Sequence, residues 1–324
     1  MRLLKLVPDN TNIGFVSLRG WAFGLTALLT VVAVFATVTR GLNLGVDFVG
    51  GLSIETTFPQ PPHLDDLRAV VDRQGEGEAS LTQYADNPRT VAIRVPPPKS
   101  TDPGATNAVV NKVQQAVAGT FPGVHFGKTD SVSGKVSHEL IRNGILAVVI
   151  AVFAIALFGW FRFEWQFGLS TFVAIGHDVL MTLGFFAVTR LEFDLTIVAA
   201  VLTIVGYSIN DKIVIDDRIR ENMRKYRQMD MRGIVDLSVN ETLPRTVMTS
   251  LTVILALGSL LIFGGHVLRG FTAAMILGVI VGTYSSIYVS SSLLITLGLK
   301  PQPLAAGKVK GVPGGAERTS REGY

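Results

Sequence analysis

The chain has 324 residues, is 48% hydrophobic, has only 17% charged residues and carries a formal net charge of +4. Soluble domains carry about a quarter charged residues, and the shortfall here is concentrated in long uncharged runs, so the chain reads as a membrane protein. So small a net charge gives no reason to expect nucleic acid as a partner, and the absence of cysteine excludes disulfides, thiolate metal sites and cysteine nucleophiles.

The first segment, 1–20, is short and basic, and an uncharged run over 21–39 follows, closed by Arg40. About 20 such residues are needed for a helix to cross the hydrocarbon core. The run has no convincing small-residue cleavage site after it, so it is read as a retained span and not as a signal peptide.

Residues 41–138 contain no spanning run and hold ten acidic and eight basic residues. Alternating and helical periodicities predict strands at 52–58, 79–84, 90–95 and 124–132 and helices at 63–73 and 106–120, with a turn at Asp86-Asn87-Pro88. That order, β-α-β-β-α-β, is the split, ferredoxin-like α+β unit.

Five further spans are predicted at 143–161, 165–189, 195–210, 246–268 and 270–299, making a polytopic helical membrane protein with six transmembrane helices. The segment 218–245 holds seven basic and four acidic residues, and both chain ends are basic. The positive-inside rule then puts both termini and the 218–245 loop in the cytosol and residues 41–138 outside, on the periplasmic side. The predicted layout is 1–40 for the N-terminus and first span, 41–138 for the α+β domain, 139–299 for the other spans, and a Gly/Pro-rich disordered tail over 300–324.

Intramembrane ionisable residues are where function is sought first, because an unpaired charge there is expensive. Asp211 lies 17 residues beyond Asp194, which is placed as the cap of the same helix. That is about 25 Å of depth. Arg245 follows Pro244 and is read as opening the next helix, from which it reaches Asp211; a static ion pair is the plain alternative. Lys212 is expected to point about 100° away, toward lipid headgroups. Asp216, Asp217, Arg218, Arg220 and Glu221 read as a solvated helix end. His177 and Asp178 interrupt the third span, where Asp178 serves either a proton relay or an interhelical hydrogen bond, and for His177 the hydrogen bond is preferred. The small residues of the last span, among them Gly278, Gly282, Ser285, Ser286 and Ser290, favour close helix packing. Asp178 and Asp211 sit at different depths and outside any Gly-x-Gly-Asp setting, against an intramembrane protease. No phosphate-cradling loop with a lysine is present, so the chain is not itself an ATPase, and no catalytic arrangement, metal site or cofactor is indicated.

Several stretches resemble one family. Gly45-Val46-Asp47-Phe48-Val49-Gly50-Gly51 after the first span, Gly206-Tyr207-Ser208-Ile209-Asn210-Asp211 with Asp217-Arg218-Ile219-Arg220-Glu221, Leu243-Pro244-Arg245-Thr246 and Gly282-Thr283-Tyr284-Ser285-Ser286-Ile287 are similar, in order and spacing, to motifs of the SecD/SecF protein-export family. The likeness covers residues 12 to about 298; Lys212, Asp216 and Ser291 depart from the threonine, aromatic and proline usual there. The resemblance implies a relative of the resistance-nodulation-division transporters in the bacterial inner membrane. It would work with SecD, beside the SecYEG channel and accessory YajC, and use the proton gradient to help move preproteins outward. It further implies a proton pathway through Asp211 and Arg245, with Asp178 a third candidate. A small-molecule or lipid exporter of the same superfamily and a passive assembly subunit are the other readings.

Overall fold

The computed structural model describes residues 8, 11–77, 79–84, 87–97, 104–265 and 268–300. Of the tail expected to be disordered, 300–324, all but Lys300 lies outside the described residues. A 3₁₀ turn, Val16–Leu18, leads into α1 (Arg19–Arg40). The chain then passes through β1 (Asn43–Leu44), the short α2 (Val46–Val49), β2 (Gly51–Thr57), α3 (Leu64–Asp72), β3 (Ser80–Tyr84), β4 (Asn87–Val95), α4 (Ala105–Thr120) and β5 (His125–Val132). It returns through α5 (Gly134–Arg162), α6 (Trp165–Thr189), β6 (Glu192–Phe193), α7 (Leu195–Lys225), α8 (Met231–Phe263), α9 (Arg269–Tyr284), a π-helical segment (Ser285–Ser290) and α10 (Ser291–Thr296).

Among the described residues six helices are long and apolar enough to cross a membrane: Val16–Arg40, Lys135–Arg162, Trp165–Thr189, Leu195–Lys225, Met231–Phe263 and Arg269–Thr296. Several outrun their sequence reading, because a helix does not stop where its residues stop being apolar. The fourth continues to Lys225 and the fifth starts at Met231, so most of the expected loop 218–245 is a helical hairpin. Pro244 is therefore inside α8 and does not open it. A proline there leaves the carbonyl of Asn240 without its helical donor. The Thr11 hydroxyl donates to that carbonyl (3.4 Å), while the Asn240 and Asp236 side chains bind the backbone of Ile13 and Val16.

The sheet runs β3-β4-β2-β5 with antiparallel neighbours. Period-two alternation sends Leu52 and Ile54 of β2 and Val91 and Ile93 of β4 to one face. There they meet Leu67 and Val71 of α3 and Val113 and Val117 of α4 in a closed core. The turn expected at Asp86-Asn87-Pro88 is displaced: Asn87 and Pro88 open β4, and residues 85 and 86 lie outside the described residues.

Within the bundle α6, α7 and α9 are the buried helices and α5 and α8 the outward ones. Glycine sets how near they come. A Cβ at Gly278 would lie 2.3 Å from Ile204 Cγ1, one at Gly282 3.0 Å from Ser208 Cβ, and one at Gly184 2.3 Å from Ala33 Cβ. These glycines let α9 close on α7 and α6 close on α1.

Candidate functional site

Helix α7 carries most of the candidate residues. Asp194 caps it, accepting from the Ile197 amide at 3.1 Å, and Asp47 adds a second carboxylate, accepting from the Leu195 amide at 2.9 Å. Acidic groups at a helix start satisfy orphan amides and suit its dipole. Asp47 reaches α7 because its segment is clamped there. The Gly45 amide donates to the Phe193 carbonyl (2.8 Å), and β1 pairs with β6 in parallel. A Cβ at Gly45 would lie 2.9 Å from Glu192 Oε1. Gly50 and Gly51 have φ of 78° and 109°, and a Cβ on Gly51 would lie 2.5 Å from the Val95 carbonyl oxygen. The glycines of this motif serve backbone shape and close approach.

Sixteen residues into α7, about 24 Å along its axis, Asp211 is 3% exposed and its Oδ2 has no hydrogen-bond partner. It looks toward α8. Tyr207 donates to Ser250 (3.1 Å), which in turn bonds Thr283 of α9 at 2.8 Å. One turn farther from the sheet on each helix stand Asp211 and Thr246, and the buried Thr246 hydroxyl also lacks a partner. Arg245 is exposed, within electrostatic reach of Asp211 but not ion-paired with it. The two expected partners are thus within electrostatic reach of one another and unpaired.

Another face of α7 overturns two expectations. Lys212 does not reach toward headgroups, and Asp216 is not part of a solvated helix end; each is 2% exposed. They pair at 2.8 Å, one helical turn apart. The ammonium also donates to Ser170 of α6 (3.0 Å) and to Ser290 of the π segment. A charge on α7 is buried here because both neighbouring helices present hydroxyls to it. Beyond Asp216 the helix does become solvated: Asp217 pairs with Arg162 at 3.4 Å, and Arg218 with Glu221 and Glu241, each at 2.6 Å.

Asp178 occupies the middle of an unbroken α6, so the sequence interruption is not a structural one. Its Oδ2 accepts from Ser208 of α7 (2.6 Å) and Ser285 of the π segment (2.9 Å), and its Oδ1 lies 3.0 Å from His177 Nδ1. His177 Nε2 is buried without a partner. From the start of α10, the Ser291 hydroxyl reaches back into the π segment, to the Ser286 carbonyl, at 2.8 Å. Such bulges recur at functional sites. Gly206 and Asn210 point outward from α7 and meet none of this polar core. Sequence reading missed the Lys212–Asp216 pair and its serine partners. The signal available was a lysine and an aspartate four apart, plus serines on another apolar run.

Residues 112–300, more than half of the chain, match the family described as protein export membrane protein SecD/SecF, C-terminal, and residues 35–61 match the SecD/SecF GG motif. The protein translocase subunit SecF of Cereibacter sphaeroides is 44% identical over 91% of this chain and 93% of its own length. That of Rhodobacter capsulatus is 42% identical over 91% and 92%. Among solved structures, SecDF of Thermus thermophilus, a translocon-associated membrane protein, superposes with a TM-score of 0.80 at 35% identity. The match covers 90% of this chain but only 39% of that longer one. On this evidence the chain is a multi-pass membrane protein that belongs to the SecD/SecF family of protein-export membrane proteins.

Proposed function

We propose that this chain is the SecF-like subunit of the Sec machinery and uses the proton gradient, with a SecD partner, to assist the export of proteins across the bacterial inner membrane. The relationship to translocase subunits named SecF, over nine-tenths of both chains, carries the subunit role. SecYEG and YajC are its proposed neighbours in that machinery, translocating preproteins its substrates and membrane lipid its surroundings. SecD would cover part of the outward faces of α5 and α8, where Ile150, Phe153, Leu255 and Ile262 are exposed. The layout proposed is 1–40, a ferredoxin-like α+β domain over 41–138, helices over 139–299 and the tail, with both termini cytosolic and the sheet periplasmic. The basic 218–245 hairpin supports that orientation. A reporter inserted at Gly104 should be active only outside; activity in the cytosol reverses the orientation.

For the proton, the supporting observation is the buried, unpartnered Asp211 Oδ2 with Arg245 within electrostatic reach of it. An ionised Asp211 is drawn toward Arg245; a protonated one is not, so α7 and α8 have two packings that a proton selects between. A passive subunit whose charges only pack would hold these two groups in a formed ion pair, and they are apart. The test is export by vesicles containing this chain, its partner and the channel, with and without a proton gradient. Asp211→Asn should assemble normally and lose the gradient-dependent component. If it keeps that component, the proton route does not use Asp211.

A further inference from the structure

The Lys212–Asp216 pair lies about 100° around α7 from Asp211, on the face turned to α6 and the π segment, and the proton step above makes no use of it. The burial of both groups is close to complete, and all three ammonium protons are engaged: by Asp216 at 2.8 Å, Ser170 at 3.0 Å and Ser290. A buried ammonium needs acceptors for all three of its N–H donors, and the carboxylate supplies only one of them. Here two hydroxyls on two other elements also solvate the ammonium, so Lys212 keeps acceptors when its carboxylate partner changes charge. Asp216 is itself buried, and the next residue of α7 reaches solvent. That neighbour, Asp217, lines an open groove of about 370 Å³ with Arg162, Arg220 and Glu221, at the end of the bundle away from the sheet.

The surroundings hold few competing charges. On α6 the nearest titratable groups are Asp178, two turns up and already holding Ser208 and Ser285, and His177 beside it. The π segment presents serines here, and its titratable Tyr288 packs against Phe15 and Tyr284. Helix α8 meets this stretch through Val235 and Val239, while its Glu241 is taken by Arg218 and its Arg245 lies on the Asp211 side. From α5, Arg162 is engaged by Asp217.

We propose that Lys212 and Asp216 form a second proton-binding site, loaded from the groove and separate from Asp211. The step is a proton transfer alone. An O–H bond forms on the Asp216 carboxylate at the expense of an O–H bond of hydronium in the groove, and the net charge of the pair rises from zero to +1. The ammonium left behind stays on Ser170 and Ser290, so α7 is released from its own intrahelical pair while still tied to α6 and the π segment. Release of the proton to the same groove restores the pair.

The test is infrared difference spectroscopy of the full chain with its partner, titrated from acid to mildly alkaline pH. The expected result is a protonated-carboxyl band that titrates, is lost in Asp216→Asn, persists in Asp211→Asn, and shifts its midpoint by about one pH unit or more in Lys212→Met. The double variant Lys212→Met/Asp216→Leu removes both charges and keeps an apolar seam, so it serves as the folded control and should lack the band. A titrating spectrum identical in wild type and Asp216→Asn overturns the proposal, as does a band that Lys212→Met leaves unmoved. Because the functional reading above is tested by export under a gradient and this site by its own carboxyl band, either can fail without the other. Where gradient-dependent export is present, it should be reduced severalfold in the double variant.

Discussion

At Gly278 the absence of a side chain determines how α9 meets α7. A Cβ would fall 2.3 Å from Ile204 Cγ1, and Ile204 is itself buried with Phe186, Ala200 and Ala274. Ile204 has nowhere to retreat, so Gly278→Leu should cost about 2 kcal/mol or more through overpacking. Thermal unfolding in detergent should show a clear drop in midpoint for Leu and a smaller one for Ala. A neutral Leu variant would mean that α9 and α7 stand farther apart than described. This glycine was legible in the sequence as part of a small-residue span. Lys212 and Asp216 were not, because helical geometry says which way a side chain points and not what waits there. Their partners Ser170 and Ser290 are 42 and 78 positions away from Lys212 in sequence. A lysine pointing at two serines and a lysine pointing at lipid headgroups look alike in one dimension.

Elements fared differently from single residues. Strands and short helices of the α/β unit were legible to within one to three residues at most ends, because each has one buried face and the period of that face shows in the sequence. The long helices were harder to bound. Helix α7 runs past its apolar stretch to Lys225, held by polar partners on α8, such as the Asn222 amide on Ser238 and Glu241 (3.0 and 2.7 Å). Helix α8 tolerates Pro244 because the chain before α1 supplies the missing donor from Thr11. The start of α7 is the element-scale feature that reaches into the family motif. Asp47→Ala removes one of its two capping carboxylates and should cost about 1 kcal/mol, with Asp194 still in place. Asp47→Ala and Asp194→Ala should not be additive, since they serve amides two residues apart in the same first turn. The double variant should unfold in chemical denaturant well below the sum of the two singles. Strict additivity would show that Asp47 acts on something other than the α7 start.

Across the whole molecule, the α/β unit meets the bundle through a narrow set of contacts, beside a cleft of about 520 Å³ between the sheet and the ends of α6, α7 and α9. The β1–β6 pairing, the Phe48–Phe193 rings at 5.9 Å and the Arg94–Glu192 ion pair at 2.8 Å bridge the two parts. Arg94 belongs to β4 and also donates to the Leu44 carbonyl at 3.1 Å, so it ties the sheet to the strand that holds β6. Burial pushes the Glu192 carboxyl above the ordinary glutamate range, and Arg94 opposes that rise. Between the ordinary and the raised value the folded chain keeps a proton that the unfolded chain has lost. Stability should therefore fall as pH rises through that window and level off above it. Glu192→Gln should flatten the slope, measured as melting temperature against pH. Arg94→Ala leaves a half-buried carboxylate without its cation and should cost about 2 kcal/mol, widening the same window upward. Its effect on export separates two roles for this junction. If the bridge only holds the fold together, an Arg94→Ala protein that remains assembled at low temperature should export as the wild type does. If the bridge carries motion from α7 to the sheet, that protein should keep gradient-independent export and lose most of the gradient-dependent part. The second outcome is expected, because Glu192 and Asp47 both sit at the start of the helix that carries Asp211, and a shift of α7 in the proposed proton step would reach the sheet through them.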